Sequence, residues 1–122
     1  MTGPRQRLGQ QGEALARRHL ESNGYSILEA NFRTRSGEID LVAEAGGTLV
    51  FVEVRTRRAS GFGTPEESID TNKKAKLARV AEEYIQAHGI GDRDWRIDLV
   101  AVELGGRGRA PRVEIIENAV EL

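Results

Sequence analysis

The feature that most constrains this chain is a pair of strand-like runs, Glu38 to Glu44 and Thr48 to Arg57, separated by Ala45-Gly46-Gly47. Both runs are rich in β-branched residues, and the glycines supply the positive φ that a tight hairpin turn demands. A turn centred on Gly46 and Gly47 sets Val42 opposite Phe51, Asp40 opposite Glu53 and Glu38 opposite Arg55. Directly paired side chains have Cβ atoms about 4.5–5.5 Å apart, a separation at which like charges repel. The second run, Leu49-Val-Phe-Val-Glu-Val-Arg, is apolar almost throughout, which implies burial on both faces. A carboxylate pair in such a place requires a compensating charge. The pairing is conditional on the turn, because an odd-numbered one would slip the register by one residue and part the two acids.

Two compensations are open. One is a bound cation. Oxygen ligands, with no cysteine in the chain and no histidine nearby in sequence, select Mg²⁺, Mn²⁺ or Ca²⁺ over zinc or copper. Alternation along the strand sends Glu53 and Arg55 to one face, roughly 7 Å apart. Two carboxylates, an adjacent cationic side chain and an open side suit the polarisation of a phosphate and the activation of water. The other compensation is a structural ion pair of Glu53 with Arg55 or Arg57, with Asp40 serving a turn or an edge.

The rest of the chain reads as a scaffold around this hairpin. Leu8, Gly12, Leu15, Ala16, His19 and Leu20 recur at helical spacing between Arg5 and Asn23, where Asn23-Gly24 forms a natural stop. Tyr25 to Arg33 reads as a strand, and Arg58 to Ser68, with Gly61, Gly63 and Pro65, as a loop. Leu77, Val80, Ala81, Tyr84, Ile85 and His88 form the apolar stripe of a second helix, opened by Asp70 or Thr71 and closed by Gly89. Trp95 to Leu104 and Arg112 to Ile116 read as two further strands. The order α-β-β-β-α-β-β describes an α/β fold with a central mixed sheet flanked by helices, and 122 residues suit one domain spanning 1–122. Ile39-Asp-Leu-Val-Ala recurs as Ile97-Asp-Leu-Val-Ala, which shared strand composition explains better than duplication.

With 18 Lys and Arg against 19 Asp and Glu, any polyanion must be held by a local patch rather than by overall charge. Arg33, Arg35, Arg57 and Arg58 lie near the ends of the acid-bearing strands and could supply one, although each taken singly also reads as an ordinary surface charge. Lys73, Lys74 and Lys76 crowd the first turns of the second helix, where the positive end of the dipole disfavours cations unless an anion is bound. Lys73 shares a side with Leu77 and Tyr84 and so projects toward the sheet. Glu38 is expected on the face of Asp40, bridging to Arg55 and supporting the acidic pair without ligating. Asp98 is expected in a buried pair with Arg96 or a neighbour, Trp95 in packing, and His19 and His88 on apolar helix faces as core residues. The Gly-Gly-Arg-Gly-Arg segment at 105–109 lacks the lysine and hydroxyl of a phosphate-binding loop. No run approaches the roughly 18–20 apolar residues that span a bilayer, the first residues show no signal-peptide core, and the absence of cysteine fits a reducing compartment, so a cytoplasmic location is expected.

Several motifs now fall into a recognisable order. Gly12-Glu13-Ala14, Asn31-Phe32-Arg33, Gly37-Glu-Ile-Asp-Leu-Val, Val50-Phe-Val-Glu-Val-Arg, Gly63-x-Pro65, the lysine opening the second helix, Arg96-Ile-Asp98 and Asn118-Ala119 together resemble the uncharacterised YraN-like family, nearly end to end. The resemblance places the chain in the restriction-endonuclease-like superfamily, most similar to archaeal Holliday-junction resolvases. It implies metal-dependent cleavage of DNA, including branched or junction DNA, with Asp40 and Glu53 as metal ligands. It also implies that Glu13, which on its own reads as an exposed helix charge, completes the ligand set, and that Lys73 is the family's lysine. Mg²⁺ is the implied cofactor, with Mn²⁺ as a substitute, and a two-fold symmetric junction would imply a homodimer. Arg55 stands where the pattern carries lysine. An arginine can stabilise negative charge or orient water, but it cannot release its proton at any workable pH. The alternative reading is therefore a nucleic-acid-binding module that kept the scaffold and lost the chemistry. A third is an interaction protein whose carboxylates and arginines form a charge network.

Overall fold

Helix α1 (Pro4–Ser22) opens on Pro4, whose missing N–H is one of the donors that a first turn leaves unpaired, and ends at Asn23 before Gly24 at φ 87° turns the chain into the sheet. The computed structural model describes residues 3–58, 69–105 and 108–120, so the Gly63-x-Pro65 motif and part of the glycine-rich 105–109 loop lie outside the described residues. The strands are β1 (Ser26–Thr34), β2 (Gly37–Ala45), β3 (Thr48–Arg58), β4 (Trp95–Leu104) and β5 (Arg112–Ile116), with α2 (Thr71–Ala87) between β3 and β4. The element order and the mixed sheet are those expected. Strand β3 runs one residue further, through Arg58, into what was expected to be loop. Asp70 caps α2, its carboxylate accepting from Lys73 N at 2.8 Å.

The strands lie in sequence order in one five-stranded sheet. β1, β2 and β3 form an antiparallel meander, and β5 returns antiparallel to β4. β3 and β4 are parallel, which requires a long crossover, here α2. Ala16 and Leu20 of α1 pack with Leu41, Ala43, Val50, Val52, Val100 and Val102, while Leu77, Val80, Ala81 and Tyr84 of α2 pack with Ile39, Val42, Leu49, Phe51, Ile97 and Leu99. The two helices thus cover opposite faces, which explains why β3 and β4 are apolar almost throughout.

The sheet forks beside the acidic residues. The hairpin register is the expected one from Ala45↔Thr48 to Leu41↔Val52, where the β2–β3 ladder stops. β2 stays paired to β1 as far as Thr34↔Gly37, and β3 stays paired to β4 as far as Arg58↔Leu104, so the two halves of the sheet diverge beyond Leu41 and Val52. The outer pair also changes sides. Ala30 and Leu41 belong to the α1 layer, whereas Phe32 and Ile39, two residues away on the same strands, belong to the α2 layer. Simple alternation would keep each such pair on one face. The reversal falls at Asn31, whose φ is 56°, and at Asp40 across from it. The Ile39 and Ile97 repeats differ here, because Ile97 and Leu99 keep one face while Ile39 and Leu41 do not.

Candidate functional site

Asp40 stands at the crotch of the fork. Where the ladder is lost, Val54 N–H has no β2 carbonyl to meet, and the Asp40 carboxylate takes it at 2.7 Å. Asp40 and Glu53 are therefore neighbours, as expected, but through side chains rather than as a ladder pair. Burial, a hydrogen bond to Glu53 and the charge of Glu53 push the Asp40 carboxyl from its ordinary 3.8 up to about 7, against the opposing pull of Val54 N–H and Lys73. Asp40 is thus the acid of the pair that keeps its proton toward neutral pH. Glu53 is only 5% exposed. Its Oε2 meets Arg55 Nη2 at 3.4 Å and Lys73 Nζ at 3.2 Å. The same-face relation of Glu53 and Arg55 and the inward projection of Lys73 are both as expected. A buried charge demands such partners, so the ion-pair reading of Glu53 with Arg55 and the carboxylate-pair reading coexist in one cluster.

Helix α1 brings the third acid. A Cβ on Gly12 would lie 1.8 Å from Thr56 Oγ1, so glycine permits the close crossing of α1 over β3 that sets the next residue, Glu13, at the fork. Glu13 is half-buried rather than an exposed helix charge. Burial, Asp40 and Glu38 raise its pKa, while a hydrogen bond from Asn31 Nδ2 at 3.4 Å and the charge of Arg17 oppose the rise. Glu13, Asn31, Glu38, Asp40 and Arg55 line an open cleft of about 1090 Å³ together with Gln6, Gln10 and Arg33. Glu53 and Lys73 do not line it. Sequence reasoning missed Asn31 as a site residue. The signal available was an asparagine in a strand, a residue that β-structure disfavours.

Other expectations are revised. Glu38 does not bridge to Arg55. It pairs with Arg33 at 3.3 Å, its direct partner on β1, because the β2–β3 ladder has already parted. Arg33 is exposed at the cleft rim, Arg35 is exposed beyond the end of β1, and Arg57 meets Glu103 across the parallel pair at 3.9 Å. Of the four residues expected to hold nucleic acid, only Lys73 joins the acidic pair, with Arg33 at the rim. Asp98 is fully buried and accepts from Tyr25 Oη, Arg96 Nε and Asn118 N, each at 2.9 Å, which realises the expected buried pair and ties the C-terminal segment to β4. Trp95 packs edge-on against Phe51. His19 is half-buried, and His88 is exposed rather than core, its ring stacked on Tyr84.

Among the described residues, no three Asp, Glu, His or Cys side chains converge closely enough to form a metal-ligand group. What stands together is the Asp40–Glu53 pair, with Glu13 near enough to raise the charge burden on Asp40's side of the cleft. Mg²⁺ is commonly held by one or two carboxylates, with water and phosphate oxygens filling the remaining positions. The pair fits such an ion on its donor chemistry, and its mutual repulsion is what a cation relieves.

The sequence model of the Uncharacterised protein family UPF0102 matches residues 12–102. A UPF0102 protein of Moorella thermoacetica is 48% identical over 119 residues, covering 98% of this chain and 99% of that one. The chain belongs to this family. Another UPF0102 protein, from Roseiflexus castenholzii, is 46% identical over 122 residues, covering 99% of this chain and 98% of its own. The UPF0102 match opens at Gly12 and closes at Val102, so it contains Glu13, Asn31, Asp40, Glu53, Arg55 and Lys73 and leaves out β5. Among solved structures, Pyrococcus furiosus SfsA in complex with Ca²⁺ aligns at 15% identity and a TM-score of 0.34, over 94% of this chain and 64% of that one. This UPF0102 chain thus spans less than two thirds of that structure. No helix among the described residues is long and apolar enough to cross a membrane.

Proposed function

We propose that this UPF0102 chain is a metal-dependent endonuclease-like protein that binds DNA at the fork and hydrolyses a phosphodiester bond there, with branched or junction DNA as the substrate that its family resemblance implies. The observation that carries the proposal is half-buried Asp40 lining an open cleft, with buried Glu53 beside it and the Asp40 carboxyl pushed up to about 7. A carboxyl raised this far and facing an open cleft is the kind of group that active sites hold. Mg²⁺, or Mn²⁺ in its place, would be held by Asp40 and Glu53, with Glu13 facing it from α1, and would supply the positive charge that polarises a phosphate oxygen and acidifies water. Arg55 lines the cleft with its side chain partly exposed, so its guanidinium can meet a phosphate there. Lys73 holds Glu53 in place and adds an ammonium to a site whose arginine cannot give up a proton. Arg33 at the rim offers a contact to the flanking backbone.

The second reading, a DNA-binding module without cleavage, is favoured by one specific observation: Arg55 and Lys73 already neutralise Glu53 from within the chain. One experiment separates the two. Wild type, Asp40→Ala and Arg55→Lys are incubated with single-stranded, duplex, flap and four-way DNA in Mg²⁺ or Mn²⁺, and both cleavage and binding are read. Cleavage abolished by Asp40→Ala supports the nuclease. Binding without cleavage in wild type, with cleavage only in Arg55→Lys, supports the module. Cleavage that persists in Asp40→Ala removes the proposed site.

A further inference from the structure

Two non-glycine residues among those described have a left-handed backbone, Asn31 at φ 56° and Asn118 at φ 51°, and of these Asn31 lies inside a strand. Left-handed conformation strains most side chains by about 1–2 kcal/mol and is visited routinely only by glycine, asparagine and aspartate. Strain of this kind inside a paired strand persists where the surrounding structure uses it. Here its consequence is visible. The ladder continues on both sides, through Ala30↔Leu41 and Phe32↔Ile39, yet the side chains beyond it have changed faces. Asp40 is the residue across from the reversal, and Asn31 Nδ2 reaches the Glu13 carboxylate at 3.4 Å.

We propose that Asn31 is a positioning residue that assembles the acidic site: its left-handed backbone turns Asp40 into the fork, and its side-chain amide holds Glu13 toward Asp40. The residue type follows from both demands. Glycine would accept the backbone but has no donor, aspartate would accept the backbone but bring another negative charge to Glu13, and other residues would resist the φ. The role in metal capture rests on the metal-site reading above, whereas the hold on Glu13 does not.

The test uses the full chain with Asn31→Gly, Glu13→Ala and the double variant. Mn²⁺ binding is measured by electron paramagnetic resonance, stability by thermal unfolding, and the Asn31 side-chain amide by ¹⁵N NMR in metal-free protein. Glycine accepts φ 56°, so Asn31→Gly is expected to unfold close to the wild-type midpoint while binding Mn²⁺ roughly tenfold or more weakly, as expected when the partner of a ligand is lost. The double variant is expected to bind no more weakly than Glu13→Ala, because Asn31 acts on the ion through Glu13. The amide resonance is expected to shift when Glu13 becomes alanine. Wild-type Mn²⁺ affinity in Asn31→Gly, or losses that add in the double variant, overturn the proposal. A wild-type protein that binds no Mn²⁺ overturns the metal-site reading instead. The amide resonance then decides alone: a shift upholds the hold on Glu13, and no shift ends it.

Discussion

Replacing Asp40 with asparagine should stabilise the protein at alkaline pH while destroying its site. The amide oxygen of Asp40→Asn can still accept from Val54 N–H, so the fork keeps its one hydrogen bond to β3, and only the charge facing Glu53 is lost. The sign follows from linkage. The folded carboxyl titrates at about 7 against an ordinary value of 3.8, so between those values the folded state binds more protons than the unfolded chain, and stability falls as pH rises. A shift of about three pKa units corresponds to about 4 kcal/mol at most, fully felt above pH 7 and absent below pH 4. About 2 kcal/mol of that lies between pH 5.5 and 8, a window open to urea unfolding without acid denaturation. Wild type in EDTA should lose roughly this much stability across the window, and Asp40→Asn should gain on it by the same amount. Saturating Mn²⁺ should reverse the loss at pH 8 in wild type and have little effect in the variant, because a ligand of the native state stabilises by mass action. Equal pH slopes for the two proteins, or an Asp40→Asn less stable than wild type at pH 8, would refute the account of an Asp40 carboxyl raised by burial and by Glu53.

Three further outcomes follow from the same contacts. Gly12→Ala places a Cβ against Thr56 and should destabilise by about 1–3 kcal/mol, with Thr56→Ala recovering part of the loss in a chemical-unfolding comparison. Arg33→Met should weaken DNA binding and reduce the slope of log affinity against log salt by about one ion, while an unchanged slope would remove Arg33 from the phosphate contacts. Asp98→Ala strands Arg96 and the Tyr25 hydroxyl in a buried network and should lower stability by about 3–5 kcal/mol at pH 7, measured by urea unfolding, whereas a loss under 1 kcal/mol would mean the network is dispensable.

The local patterns were legible because each depends on near neighbours. Glycines at φ 56° and 84° build the turn that sequence assigns to them, and their even number puts Val42 opposite Phe51 as written. Leu77, Val80, Ala81 and Tyr84 form the buried stripe read from their spacing, and that stripe correctly aims Lys73 at the sheet. Glu38 was misassigned because the hairpin register was extended past the point where the ladder exists. Nothing in the alternation of Glu38-Ile-Asp-Leu announces that β2 leaves β3 after Leu41, since the cause lies partly in Asn31 on a different strand. His88 was misplaced for a related reason. Its position continues the apolar stripe, yet it is the residue that caps the end of α2, and its ring stacks on Tyr84 while staying exposed.

By itself the sequence determined the elements, their order, the hairpin register and the proximity of two carboxylates, all consequences of side-chain periodicity and turn chemistry acting over a few residues. Only the tertiary structure decided what those carboxylates face. The fork, the change of faces at Asn31 and Asp40, the approach of Glu13 allowed by Gly12, and the arrival of Lys73 at Glu53 join residues from α1, β1, β2, β3 and α2. A long-range contact is set by how whole layers pack, and packing energy belongs to no local stretch of the chain.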